Sequence, residues 1–114
     1  MLMHDDLFEA LADPTRRRIV EVLRGGERAV NDLVEAVRIH QSGVSRHLSI
    51  LAEAGFVQAR ASGPRRLYSL RADRFRELDQ WLTQYRGLWE KRLDRFAAAL
   101  ERSQQNPKRR KETP

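Results

Sequence analysis

The segment from Arg38 to Val57 constrains the fold most, because it predicts one short helix with two chemically different faces. It reads RIHQSGVSRHLSILAEAGFV. On a helical period, apolar residues fall on one side, and short polar residues with an arginine fall on the other. The apolar side contains Val44, Leu48 and Leu51, and the polar side contains Ser42, Arg46 and Ser49, with Gln41 and Ser45 near the amino end. One face is suited to packing and the other to hydrogen bonding with a partner.

The polar face carries residue types that read base edges in the DNA major groove. Gln and Arg pair bidentately with adenine and guanine, and Ser hydrogen-bonds with several bases. We therefore predict that Gln41, Ser42, Ser45 and Arg46 contact bases or phosphates, the alternative being a solvated helix face with an N-cap. His47 lies between the two faces, so a phosphate contact and a packed edge histidine both stay open.

A second helix should precede this one closely. The spacing of Leu33, Val34 and Val37 predicts a helix over about 30–37. Only three residues separate it from the two-faced helix that begins near Gln41, which we call the reading helix. Two helices joined by so short a turn make a helix-turn-helix. The reading helix should end near Ala54, with Gly55 as a left-handed C-cap.

Two further helices are predicted at the amino end. The first covers about Asp6 to Leu11. Asp13 then fits an N-cap and Pro14 the first position of a second helix, which runs to about Arg24 and ends at a pair of glycines. Its apolar face contains Ile19, Val20 and Leu23.

A β-hairpin should follow the reading helix. The segments 56–61 and 66–70 flank the turn sequence Ser62-Gly63-Pro64-Arg65 and predict a strand pair, the wing. Arg65 and Arg66 should meet backbone phosphate or the adjacent minor groove, unless they only solubilise the turn. The predicted fold class is therefore mainly α with a small β-hairpin wing, a winged helix-turn-helix.

A long final helix, Asp73 to about Arg102, has an apolar stripe at spacings of three and four residues. A stripe of this length exceeds what a small domain can cover, so we expect a symmetric dimer through the first and last helices. The alternative is an intramolecular core. The predicted dimerisation residues are Leu7, Phe8, Leu78, Leu82, Tyr85, Trp89 and Phe96. The aromatics Trp81, Tyr85 and Trp89 could also line a ligand pocket, but packing is the more common role of such a pattern.

Charge and composition narrow the function classes. The formal net charge is +6, which favours a polyanionic partner, and nucleic acid is the preferred one. Half of that charge lies in the tail predicted to be disordered, residues 103–114, where four basic residues and one glutamate give +3. The tail can add non-specific phosphate attraction or only solubility. Residues 1–102 are expected to form one DNA-binding and dimerisation domain.

Several other classes find no support in the sequence. The chain has no cysteine, and its histidines, His4, His40 and His47, are scattered, so no metal or cofactor site is expected. No nucleophile, base and oxyanion group come together, so we predict that the chain is not an enzyme. No apolar stretch approaches the length of a membrane span and the amino end is acidic, which favours a cytoplasmic protein without a membrane partner.

The residues described so far resemble the winged-helix transcriptional repressors of the ArsR/SmtB type. The resemblance covers roughly Leu7 to Leu100 and is carried by FEALADPTRRRIVEVL, QSGVSRHLSILAEAGFV and SGPRRLYSL. It implies a homodimeric repressor whose recognition helices enter successive major grooves of an inverted-repeat operator in double-stranded DNA. The alternative is a non-specific architectural DNA-binding protein driven by the wing and tail charges.

The sequence also departs from that family. Metal-sensing members carry cysteines on the third helix, where this chain has Ala29 to Leu33, and others carry ligands on the last helix, where this chain has no histidine. The resemblance therefore implies a repressor without the metal-sensing residues, and a small-molecule or protein effector stays open. Arg38 also occupies a turn position where the family often has glycine, which would be strained if the backbone there is left-handed.

Overall fold

The computed structural model describes residues 5–105, which form five helices and three short strands. In chain order these are α1 (Asp5–Ala12), α2 (Pro14–Leu23), β1 (Arg28–Ala29), α3 (Val30–Val37), α4 (Gln41–Glu53), β2 (Val57–Ser62), β3 (Arg65–Leu70) and α5 (Ala72–Gln104). The chain divides into two compact units at residue 78, with α5 contributing to both. The fold class is the predicted one. Helix α5 continues to Gln104, so the first two residues of the predicted tail are helical, and residues 106–114 lie outside the described residues.

Helix α2 begins as its first residues predict. The Asp13 carboxylate accepts hydrogen bonds from the backbone N–H groups of Thr15 at 2.8 Å and Arg16 at 3.1 Å. Pro14 follows at the start of the helix, where its missing N–H costs nothing. The hydrogen bond from the Arg16 backbone N–H is the main reason that the pKa of Asp13 lies below its usual value. The cap is therefore strongest when this carboxylate is ionised.

The helix-turn-helix consists of α3, the three residues 38–40 and α4. Arg38 turns the chain with left-handed backbone angles, φ 57° and ψ 44°, and is the one described non-glycine residue with positive φ. Gly55, with φ +84°, closes the other end of α4 as predicted. A side chain at this glycine would also be crowded, because an added Cβ would lie 2.9 Å from Cγ of Arg74.

The wing belongs to a three-stranded antiparallel sheet with the order β1-β3-β2. Strands β2 and β3 pair along their length, from Val57 opposite Leu70 to Ser62 opposite Arg65. The two-residue strand β1, which the sequence pattern did not predict, pairs with β3 through Arg28 opposite Tyr68 and Ala29 opposite Leu67. This pairing joins the wing to the chain immediately before α3.

The core of the first unit forms where α1, α2, α3 and α4 meet β2. Its largest fully buried side chains are Phe56, Leu7, Ile19, Leu33, Leu48, Leu51, Val44 and Val57. The ring of Phe56 lies edge-on to that of Phe75 at the start of α5, with ring centroids 5.0 Å apart. Val20 and Val34 pack against this cluster but are only partly buried. The core thus fixes α4 through its apolar side and leaves its other side in solvent.

Candidate DNA-binding surface

Helix α4 has the two faces that its sequence predicts. Val44, Leu48 and Leu51 are completely buried. The side chains predicted to read DNA are all exposed on the helix, namely Gln41, Ser42, Ser45 and Arg46. Because the buried face holds the helix against the core, the exposed face is presented in a fixed orientation. Short polar side chains in such an orientation can hydrogen-bond with base edges.

The first turn of α4 is capped by His40, a role that the sequence pattern did not predict. Its Nδ1 atom accepts from the backbone N–H of Ser42 at 3.5 Å and lies 3.2 Å from the Ser42 hydroxyl oxygen. Histidine is not among the preferred N-cap residues, so the residue type alone does not indicate a cap at this position. The cap places His40 beside the amino-terminal residues proposed to contact DNA.

His47 faces α2. Its Nδ1 atom lies 3.3 Å from Nη1 of Arg16, and since a guanidinium only donates, the contact requires Nδ1 to accept. Arg16 also donates from Nε to the carbonyl of Ala10 at 2.6 Å and from Nη2 to that of Glu9 at 3.1 Å. One arginine therefore connects the end of α1 to the middle of α4. This geometry favours the packed edge histidine of the two roles considered for His47.

Ile50 on α4 packs against the edge of the core. It is partly buried and lines a cleft of about 300 Å³ beside α1, together with Ala10, Ala54 and charged residues around the rim. The rim consists of Asp6, Glu9, Arg16 and Glu53. Ile50 therefore lies on the side of α4 that faces this cleft.

Two of the three wing arginines are held by carboxylates that precede or begin α3. Arg60 donates to Glu27 through two hydrogen bonds, of 2.6 Å from Nε and 2.8 Å from Nη2. This contact lowers the pKa of Glu27. Arg65 Nη2 lies 3.3 Å from Oδ2 of Asp32. Arg66 instead lies over the ring of Tyr68, 6.0 Å from its centroid.

The wing tip, the start of α3 and the start of α4 line one groove of about 210 Å³. Its lining residues are Ala29, Val30, Asn31, Gln41, Pro64, Arg65 and Arg66. Three of the predicted DNA contacts, Gln41, Arg65 and Arg66, therefore come together although they are distant in sequence. The groove marks where the proposed reading helix and the wing adjoin.

Helix α5 carries a series of exposed apolar side chains in the second unit. Leu88 is 66% exposed, Leu93 61% and Phe96 63%, and Tyr85, Trp89 and Leu100 are also exposed. The rings of Trp81 and Tyr85 contact each other, with centroids 4.9 Å apart. A shallow hollow here is lined by Leu88, Trp89 and Arg92. Of the three aromatics considered as a ligand pocket, this hollow includes Trp89 alone.

Two of the predicted dimerisation residues have a different role. Leu7 is completely buried in the core of its own chain, so it is not available to a partner. Leu78 is half-buried and packs against the same core. The prediction was wrong for Leu7 because helical spacing identifies an apolar face but not which surface covers it. Phe8, in contrast, is 38% exposed on α1.

Within residues 5–105, no group of three or more histidine or acidic side chains is arranged to hold a metal ion. His4, one of the three histidines, lies outside the described residues. None of the described helices combines the length and the apolar character needed to cross a membrane.

Comparison with known proteins identifies the family. The model of bacterial regulatory proteins of the arsR family matches residues 13–59, from the N-cap of α2 into β2. The transcriptional repressor SdpR of Bacillus subtilis (strain 168) is 31% identical over 81 residues, which cover 71% of this chain and 90% of that protein. The chain belongs to the ArsR family. A probable mercury resistance operon repressor of Streptomyces lividans is 42% identical over 62% of this chain and 57% of its own length.

A solved structure agrees with the ArsR-family fold. The solution structure of a homodimeric winged helix-turn-helix DNA-binding domain from Mycobacterium bovis, a possible ArsR-family regulator, superposes with a TM-score of 0.61. It is 30% identical, and the match covers 72% of this chain and 79% of that one. This ArsR-family chain is therefore a transcriptional regulator with a DNA-binding winged helix-turn-helix.

Proposed function

We propose that this ArsR-family regulator is a homodimeric repressor that binds an inverted-repeat operator and blocks transcription from it. The exposed polar face of α4 carries the proposal. Gln41, Ser42, Ser45 and Arg46 would contact bases from the amino-terminal part of the helix, as second helices of helix-turn-helix proteins do. Arg65 and Arg66 on the wing would contact phosphate, and His47 would support α4 from its edge. Such a protein works in the cytoplasm, where its operator is.

The exposed apolar side chains of α5 support the dimer. Leu88, Leu93 and Phe96 are each more than half exposed in the single chain, which is costly for residues of this size. A second copy of the same helix would cover them in a symmetric interface. Phe8 on α1 and Tyr85 and Trp89 on α5 are further exposed residues that such an interface could bury. The Mycobacterium bovis neighbour is itself homodimeric.

A symmetric dimer predicts the form of the operator. Two recognition helices related by a two-fold axis would read half-sites about 10 base pairs apart, or a multiple of that distance. Selection of bound duplexes from a random-sequence pool would reveal such a repeat. Bound sequences without any shared motif would favour the alternative, a non-specific architectural DNA-binding protein.

The selected duplex then tests base reading by Arg46. Arg46→Ala should weaken binding to the selected duplex far more than to a scrambled one, because a bidentate base contact contributes about 1–3 kcal/mol of discrimination. Arg76→Ala is the matched control, since Arg76 is an exposed arginine on α5. Equal losses on both duplexes for Arg46→Ala would remove base reading by this residue.

Assembly is tested by Leu93→Glu, with Lys91→Glu as its control. Both side chains are exposed on α5, so neither substitution disturbs a buried position of the single chain. Leu93→Glu should lower the sedimentation coefficient to that of a monomer, whereas Lys91→Glu should remain dimeric. A Leu93→Glu dimer of unchanged stability would show that this face of α5 is not the interface.

A further inference from the structure

Asp32, in the first turn of α3, makes two contacts through one oxygen of its own carboxylate. Its Oδ2 accepts from the backbone N–H of Ala29 at 3.1 Å and lies 3.3 Å from Nη2 of Arg65 on the wing. The first contact satisfies an amide at the start of α3, as acidic residues at this helix position often do. The second contact holds the negative charge of Asp32 beside Arg65, which lines the groove together with Gln41.

We propose that Asp32 is a positioning residue that restrains Arg65 in the DNA-free protein and thereby weakens sequence-independent DNA binding. The inference rests on the proposed function, in which Arg65 meets a backbone phosphate. The Asp32 carboxylate and a DNA phosphate are both anions, and they compete for the same guanidinium. Asp32 also repels any phosphate that enters the groove. Non-specific affinity is therefore lower than the number of wing arginines suggests.

The contact is not needed to hold the wing in place, because stronger contacts do so. Strand β1 pairs with β3 at Arg28–Tyr68 and Ala29–Leu67. Arg60 and Glu27 add two short hydrogen bonds between the wing and the segment before α3. If the Asp32–Arg65 pair served mainly to orient the wing for DNA, its removal would weaken DNA binding. If Asp32 instead restrains Arg65, as proposed, removal of the pair should strengthen DNA binding.

The exposure of the pair sets the size of the effect. The Arg65 side chain is 59% exposed and that of Asp32 is 46% exposed, so water competes readily with each group for the other. Exposed pairs of this kind correspond to changes in affinity of up to about fivefold. Asp32 is therefore a weak restraint that a well-placed phosphate overcomes.

The test is Asp32→Asn, measured by fluorescence anisotropy with a random-sequence duplex. Asparagine removes the charge but keeps an oxygen that accepts from Ala29. The variant should bind up to about fivefold more tightly at low salt. Its affinity should also fall more steeply with salt, by up to about one unit of logarithmic slope, because Arg65 engages a phosphate more completely. If Asp32→Asn melts early, Asp32→Gln provides the same uncharged acceptor at the capping-box position.

Two further variants separate restraint from net charge. Glu35→Gln removes the same charge from an exposed position one turn along α3, where no ion pair is formed with any residue of the described range, and it should raise affinity less. In an Arg65→Gln background, Asp32→Asn should lose most of its gain. An equal rise for Glu35→Gln, a gain that persists without Arg65, or an unchanged or weaker affinity for Asp32→Asn would overturn the restraint.

The same experiment separates this inference from the function on which it rests. A wild-type chain that binds the random and selected duplexes, with Asp32→Asn behaving identically, removes the restraint and leaves the repressor standing. A wild-type chain that binds neither duplex removes the proposed function, and the restraint with it.

Discussion

Replacing Arg38 with glycine should stabilise the protein, although glycine usually destabilises folded chains. Arg38 has φ 57° and ψ 44° at the end of α3, where a side chain is disfavoured by contact with its own backbone. This costs about 1–2 kcal/mol for a non-glycine residue. Glycine removes that cost. It also gives the unfolded chain more conformational freedom, which lowers the free energy of unfolding by about 0.4–1 kcal/mol. The difference lies between about 0 and 1.6 kcal/mol, with a central value of about 0.8 kcal/mol. No further loss is expected, because Arg38 is exposed and its side chain has no ion pair with any described residue.

The assay is thermal unfolding by circular dichroism at one fixed protein concentration, since dimerisation would make the melting temperature depend on concentration. For a domain of this size the net gain corresponds to a rise of about 2–8 °C. Arg18→Gly is the matched control. Arg18 is exposed in the interior of α2, where glycine costs up to about 1 kcal/mol and should lower the melting temperature. If both variants melt below the wild type, the left-handed strain at Arg38 is refuted.

Two further predictions concern the same unit. Arg74→Met should destabilise the protein by about 2 kcal/mol in urea unfolding, because the Arg74 side chain, 14% exposed, donates to the carbonyl of Ala54 at 2.7 Å and pairs with Asp6 and Glu77. A loss no larger than that of Arg76→Met would contradict this role. Asp13 has a pKa lowered mainly by the backbone N–H of Arg16, so its contribution is present above the unfolded-state pKa and lost as pH falls through the folded-state pKa. Asp13→Asn should therefore flatten the decline in stability as pH falls below about 4, the usual pKa of an aspartate, and an unchanged decline would contradict the assignment.

The elements set by local chemistry could be predicted from the sequence. Helix α3 has the predicted bounds, and Asp13 with Pro14 begins α2 as expected. These features depend on periodicity and on residues next to each other in the chain. Strand β1 is too short to show any period, and it exists because β3 pairs with it. Sequence patterns of single elements carry no information on such a partner.

The contacts between elements could not be predicted for the same reason. A run of three arginines at 16–18 has the composition of a solvated surface, yet Arg16 and Arg17 donate to carbonyls at the end of α1. The pairs Arg60–Glu27 and Arg65–Asp32 each join residues 33 positions apart. Side chains of this length reach several neighbours, and only the packing of the elements decides which one they meet. The sequence therefore predicted the exposed polar face of α4 but not the residues that hold the helix in place.

The number of basic side chains free to engage DNA is smaller than the total of 22 lysines and arginines suggests. Several arginines of the first unit are held by carbonyls or carboxylates of the protein itself, namely Arg16, Arg17, Arg60, Arg65 and Arg74. Within residues 5–105, Arg46 on the reading face has no ion pair. An arginine that is already held by a partner must give up that contact to bind a phosphate, so it adds less to an attraction that scales with the number of phosphates neutralised. We therefore expect the proposed repressor to rely on Gln41, Ser42, Ser45 and Arg46 for affinity as well as discrimination. The salt dependence of operator binding should then be shallower than a count of its arginines predicts.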